Sequence, residues 1–349
     1  MTTTPLPIVG RRLGGYEVLY ALKTGGMGEV VLARKVGAGG FEKLVAIKTV
    51  RTEYRQRDEV RRMFFDEARL VARLQHPAIA QVLDFGDDGG ELYLVMEYVQ
   101  GVRFGWLRDH RPPPAIAARA VAEALRGLHA AHELTDLAGN PLEVVHRDIT
   151  PENLMLSFDG QVKVLDFGIA LARGRQAPVT EFGTIKGKPP YLSPEQVKCE
   201  PLDRRTDIFS AAIVLYELLT GEPLFVADSV YAVARMIEHR DVPPPSAIAG
   251  PLPDGLDEAV LQGLAKRREE RFQTAEAFAR ALDAVADRAG GESLVEYSRR
   301  ELAAERERHR AWLRGVLAAV DSGLAEAARR GRASGVMTVP GEGAAEVLE

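Results

Sequence analysis

Short apolar runs dominate the first hundred residues. "YEVLYAL", "GEVVLARKV" and "LVAIKTV", within residues 16–50, are β-branched and aromatic, and the glycine-rich breaks "KTGGMG" and "GAGGF" separate them. Such runs predict strands joined by hairpin turns. From about 57 to 75 the spacing becomes helical, with Val60, Phe64, Ala68, Val71 and Leu74 on one face. His76-Pro77 is expected to stop this helix, because proline disfavours helical backbone in the residue before it. "IAQVLDFGDD" and "ELYLVMEYV" read as two further strands around a Gly-Gly turn. This part of the chain is therefore expected to hold about five strands and one helix.

After Gly101 the pattern turns helical. "AIAARAVAEALRGLHAAHEL" (115–134) follows the turn-rich "RPPP", and helical runs recur at "DIFSAAIVLYELLT", "SVYAVARMIEHR", "GLDEAVLQGLAK" and "TAEAFARALDAVADR". The expected division is a β-rich part at 16–99, a helical part at 100–288, a helical extension at 289–331 and a disordered, polar tail at 332–349. In the extension, Leu313, Val316, Leu317 and Val320 form one apolar stripe, expected to dock on its own chain rather than on a partner. No internal repeat is present.

Composition narrows the class. The chain has 349 residues, 46% hydrophobic and 27% charged, with a net charge of −5. That balance argues against a dedicated nucleic-acid surface. The single Cys199 excludes an intramolecular disulfide and fits a reducing compartment. The start of the chain has no secretory-signal pattern, and the longest apolar run, "AAIVLYELL", is too short to span a bilayer. The expectation is a cytoplasmic protein with no membrane or nucleic-acid partner.

The chemistry sits in an ordered set of motifs. "KTGGMGEV" places Gly25, Gly26 and Gly28 in a turn between strands, where glycine lets the backbone approach a phosphate chain. "VAIK" ends a buried strand pattern on Lys48, and no lysine occurs between Lys48 and Lys163. A lysine there needs a partner, and Glu67, near the apolar face of the following helix, is the candidate. "VVHRDITPEN" then carries Asp148 and Asn153 five residues apart, and Asp166 follows in "VKVLDFGIA", each at the end of a strand pattern.

This order resembles the protein kinase family, specifically the eukaryotic-like Ser/Thr protein kinases of bacteria. The resemblance covers about residues 16–284 and implies an α+β, bilobal fold with a small β-rich lobe and a larger helical one. It implies ATP and Mg²⁺ as cofactors, and transfer of the γ-phosphoryl group to Ser or Thr hydroxyls of proteins. Lys48, paired with Glu67, would contact the α- and β-phosphates, and Asp166 and Asn153 would hold Mg²⁺. Asp148 would accept or orient the substrate hydroxyl. Val30 and Ala46 would pack on one side of adenine and Met155 on the other, with Met96 as gatekeeper and Glu97 to Val99 as hinge. Asp207 would brace the catalytic loop, and Glu195 and Arg271 would form a buried structural ion pair.

The chain departs from the family pattern at three points. Lys23 stands where the first loop glycine is expected. Thr150 replaces the catalytic-loop lysine, and Lys188 replaces a threonine in the substrate loop. An exchange of roles would explain the last two, with Lys188 supplying positive charge near Asp148. Arg147, before the catalytic Asp, implies an activation loop ordered by phosphorylation, with Thr184 as first site and Thr180 as second. The implied partners are protein substrates, regulators acting through the C-terminal helix, and a transient homodimer for autophosphorylation in trans. The rival reading, a pseudokinase scaffold, would predict loss of Lys48, Asp148 or Asp166, and all three are present.

Overall fold

Glycine breaks and apolar runs become six antiparallel strands. They are β1 (Arg12–Leu13), β2 (Tyr16–Gly25), β3 (Gly28–Val36), β4 (Glu42–Thr49), β5 (Val82–Asp88) and β6 (Glu91–Glu97), in the order β1-β2-β3-β4-β6-β5. Between β4 and β5 lies helix α1 (Asp58–Val71), which buries Phe64, Ala68 and Val71. It is shorter than the pattern over 57–75 suggests: residues after Val71 turn before His76 is reached. The computed structural model describes residues 8, 10–25, 28–49, 58–167 and 189–334, with the backbone alone at some helical positions, Glu67 among them.

These strands belong to the first of two compact units, Met1–Ala72, Val82–Tyr98 and Glu307–Glu349. One face of the sheet buries Val18, Val31, Ala33, Val45, Ile47 and Val95. The opposite face buries Tyr20 and Leu32. Strand alternation, period two, makes this division in β3 and β4, and in β2 a register shift between Val18 and Tyr20 turns Tyr20 to the second face.

The second unit comprises Arg73–Gln81 and Val99–Arg306. It contains a three-stranded sheet, β7 (Gly101–Arg103), β8 (Leu154–Ser157) and β9 (Val162–Val164). Its helices are α2 (Phe104–His110), α3 (Pro114–His132), the single turn α4 (Pro194–Val197), α5 (Arg205–Thr220), α6 (Val230–His239), the single turn α7 (Ser246–Ala249), α8 (Leu256–Gly263), α9 (Ala275–Ala289) and α10 (Leu294–Glu301). Helix α5 is buried on every side from Thr206 to Thr220, as its lack of a polar face requires. It stops at Gly221, which takes φ of 73°. The segment after α1 joins this unit through β9: Ala80 N donates to Val164 O at 2.9 Å, and Val164 N to Ala78 O at 2.8 Å.

The C-terminal extension is two helices, not one. Helix α10 begins at a capping box in which Ser293 and Glu296 exchange hydrogen bonds. It passes so close to Gly160, φ of 82°, that a Cβ there would lie 2.5 Å from the Val295 backbone. After the fully buried Leu302, helix α11 (Ala303–Ser334) starts, and from Glu307 onward it belongs to the first unit. Among the described residues no helix is long and apolar enough to cross a membrane.

One ion pair locks the second unit. Arg271 donates through both terminal nitrogens to the two Glu195 oxygens, at 2.8 and 2.9 Å. Its remaining donors reach the carbonyls of Ala265, Arg205 and Lys266 at 2.8, 3.0 and 3.1 Å. All five guanidinium N–H groups are therefore satisfied while the side chain is fully buried. Glu195 also accepts from the Thr206 hydroxyl at 2.8 Å. Burial alone would raise the Glu195 pKa, but Arg271 and these donors hold it below the ordinary value. Arg271→Ala is expected to destabilise the fold by about 3–5 kcal/mol, because it strands a buried carboxylate. A denaturant titration checks this, and a loss under about 1 kcal/mol would contradict it.

Candidate active site

The loop 144–153 leaves a buried Val144-Val145 pair and enters polar backbone that strand hydrogen bonds do not satisfy. Its amides are held from helix α5. Asp207 Oδ2 accepts from His146 N and Oδ1 from Arg147 N, both at 2.8 Å. His132, in the last turn of α3, places Nε2 2.8 Å from Asp207 Oδ2. Arg147 has φ of 69°, a left-handed conformation that costs a non-glycine residue about 1–2 kcal/mol. Such strain persists only where surroundings over-determine it. Here Asp207 takes the Arg147 N–H, and Gln196 Nε2 donates to its carbonyl at 2.9 Å.

His146 couples this loop to the strand end that follows. Its Nδ1 accepts from Asp148 N at 3.3 Å, which leaves Nε2 protonated to donate to Leu165 O at 2.9 Å. Its ring packs on Phe167 with centroids 4.7 Å apart. Asn153 Nδ2 donates to both Asp148 O at 2.8 Å and Asp148 Oδ2 at 2.9 Å. The pairing Leu154↔Val164 and the bond from Leu165 N to Asn153 O, 2.8 Å, bring Asn153 beside the segment that carries Asp166. Asp166 also takes a left-handed φ, 47°. Asp148, Asn153 and Asp166 are thus gathered by one short β-hairpin and one loop.

The donor set fits a hard divalent cation. Because Asn153 Nδ2 faces Asp148, its Oδ1 is the amide atom left to accept. An amide oxygen and the Asp166 carboxylate suit Mg²⁺, which takes one or two protein ligands and completes its shell with phosphate oxygens and water. Among the described residues no group of three or more His, Cys, Asp or Glu could hold a metal ion.

A second set of expected site residues lies in the first unit. Residues opposite each other in antiparallel strands share a face. The pairs Val30↔Lys48 and Ala46↔Met96 put those four side chains on the face opposite the Val31 and Ile47 core, and all four are half-buried. Gly25 and Gly28 pair at the end of the β2–β3 hairpin, and Lys23 lies in β2 opposite Val30. Glu97 ends β6. In the second unit, Val99 is buried and Met155 is half-buried in β8. Gly26, Thr180, Thr184 and Lys188, and the Glu67 side chain, lie outside the described residues. Thr150 is 1% exposed, and its hydroxyl has no hydrogen-bond partner among the described residues.

Sequence reasoning missed His132, Gln196 and the clamping role of His146. The first two sit 75 and 49 residues from their partners, so no local spacing announces them.

The family model for the protein kinase domain matches residues 16–281. "Tyrosine-protein kinase MasK" of Myxococcus xanthus is 41% identical over 293 residues, which cover 81% of this chain and 45% of that protein. "Serine/threonine-protein kinase PknB" of Mycobacterium tuberculosis is 40% identical over 283 residues, 78% of this chain and 42% of that protein. The chain therefore spans less than half the length of these curated relatives. The crystal structure of the Mycobacterium tuberculosis PknI kinase domain has a TM-score of 0.59 at 28% identity, covering 79% of this chain and 98% of that one.

The Asp207 clamp has a pH consequence. Burial alone would raise the Asp207 pKa, but the His132 hydrogen bond and charge and the His146 contacts hold it below the ordinary 3.8. A depressed pKa contributes stability that is complete above about pH 4 and is lost as pH falls through the folded value. Unfolding free energies measured between about pH 6 and 3 should fall less steeply for Asp207→Asn than for the wild type, and equal slopes would count against the clamp.

Proposed function

Because the chain belongs to the protein kinase family, we propose that it transfers the γ-phosphoryl group of ATP to Ser or Thr hydroxyls of cytoplasmic proteins in a bacterial signalling pathway. The observation that carries the reading is the Asn153 side chain. Its nitrogen fixes the Asp148 carboxylate and main chain, and its oxygen remains for a metal. Asp148 orients the acceptor hydroxyl and takes its proton as the acceptor oxygen bonds to the γ-phosphorus and the bond to ADP breaks. Asn153 and Asp166 hold Mg²⁺, which neutralises phosphate charge. Lys48, with Glu67, binds the α- and β-phosphates under the loop of Gly25, Gly26 and Gly28. Val30, Ala46 and Met155 enclose adenine, Met96 is the gatekeeper, and Glu97 to Val99 supply the hinge. Little covalent work falls to the protein, so positioning supplies most of the rate.

Full-chain protein with Mg²⁺, labelled ATP and a generic protein substrate tests this. Lys48→Ala, Asp148→Asn and Asp166→Asn should each reduce transfer by at least about 10²-fold, and chelation of Mg²⁺ should abolish it. Label incorporation that persists in all three variants would overturn the assignment. Wild-type protein without transfer would favour the scaffold reading. One relative is named a tyrosine-protein kinase, so phosphoamino-acid analysis decides the acceptor, and phosphotyrosine alone would overturn the Ser/Thr reading.

Autophosphorylation at Thr184, with Thr180 second, fits Arg147 beside the catalytic acid, and a transient homodimer would carry it in trans. Mass mapping of purified protein checks this, and a fully active, unmodified loop would refute it. The Thr150 hydroxyl, buried and without a partner among the described residues, supports the proposed exchange with Lys188, since a buried hydroxyl left unpaired costs roughly 1–3 kcal/mol. Lys188→Ala should then lower kcat by about tenfold or more, and unchanged turnover would sink the exchange.

A further inference from the structure

The sheet face that bears the proposed adenine contacts also bears the docking patch of α11. The pairs Leu32↔Ala46 and Arg34↔Leu44 extend the face that carries Val30, Ala46, Lys48 and Met96. Burial changes along it. Leu32 is fully buried in a cluster with Tyr20, Val316 and Val320, and Leu44 packs at its edge. Ala46, outside this cluster, is half-buried.

Ala46 therefore meets helix-covered neighbours on two sides. Leu32 is directly opposite, with Cβ atoms about 5 Å apart at such a pair. Leu44 is two residues along the strand, about 7 Å away. Met96, opposite Ala46, is followed two residues later by Tyr98, which also packs at the cluster. Tyr98 lies against α11 itself. Its hydroxyl is 3.3 Å from His309 Nε2, and the two rings stack at 5.9 Å. At the far end of the patch, the buried Arg34 joins Glu17 at 2.6 Å and Asp321 of the helix at 2.5 Å. The helix is thus fastened at the hinge residue and again three turns later.

We propose that α11 braces the strand face that forms one wall of the adenine subsite, and that His309 is a positioning residue that fixes the hinge through Tyr98. This rests on the nucleotide-binding reading above. Adenine is flat and largely apolar, and its pocket needs walls that hold their spacing. Strands β3 and β4 supply Val30 and Ala46, and α11 holds the rest of that face in place. Docking of the helix and binding of the nucleotide are then coupled, and each favours the other by the same factor.

Titration of the full chain with Mg²⁺-ADP, together with steady-state kinetics, tests this. His309→Ala should weaken ADP binding about threefold and Val316→Asp/Val320→Asp about tenfold or more, in the range of coupling carried through packed side chains. KM for ATP should rise by the same factors while kcat stays within about twofold, a split that general loss of fold would not give. Arg314→Ala, on the exposed side of α11, should bind as the wild type does. Saturating Mg²⁺-ADP should slow hydrogen exchange over residues 309–321 of the wild type. Wild-type affinity in both variants, with faster exchange over 309–321, would overturn the proposal. A fall in kcat alone would overturn it too. Should the double variant fail to fold, His309→Ala decides. Wild-type protein that binds no nucleotide would overturn the kinase reading itself, a separate result.

Discussion

The Asp207 carboxylate is the fixed point on which the catalytic loop depends. It is wholly buried in a helix that has no polar face, so its charge must be met by donors. Three meet it: His132 and the backbone amides of His146 and Arg147. The same bonds keep Arg147 left-handed, and that turn aims the next residue, Asp148. Removing the carboxylate would leave two buried amides without acceptors and free the strained residue to relax. The role proposed for Asp148 thus rests on a carboxylate held by His132 and two backbone amides.

A similar economy governs the six-stranded sheet. Alternation gives each strand only two faces. Val31, Ala33, Val45 and Ile47 consume one of them as core. Every other requirement falls on the remaining face. Lys48, Ala46 and Met96 stand half-buried there, while Leu32, Leu44 and Arg34 take up helix α11. The helix need not have evolved toward the proposed nucleotide site to affect it. Strand pairing makes the covered and the half-buried residues neighbours.

Much of this was legible in the sequence, for a definite reason. Strands β2 to β6 and helices α3, α6, α8 and α9 each repeat a local apolar period, α5 is a nearly continuous apolar run, and the stripe Leu313, Val316, Leu317 and Val320 emerges as the buried side of α11. Asp148, Asn153 and Asp166 were legible as a motif, and the β8–β9 pairing brings them together. What stayed hidden is long-range and polar. Arg34 and Asp321 are 287 residues apart, and His132 and Asp207 are 75 apart. Charged pairs leave no period: the Glu195–Arg271 pair was implied by the resemblance, and the folded chain reveals the others. The end of α1 and the break at Leu302 were hidden as well, because local propensity is nearly indifferent there and packing decides.

Satisfied and unsatisfied buried polar groups carry different information. Arg271 is fully buried, yet each of its donors has an acceptor, so it does structural work and asks for nothing more. Thr150 is buried to a similar degree within two residues of Asp148, and its hydroxyl lacks a partner among the described residues. A fold that meets five donors on one arginine has no general difficulty in satisfying buried groups. An exception two residues from Asp148 therefore marks Thr150 as a position that the proposed exchange with Lys188 would explain.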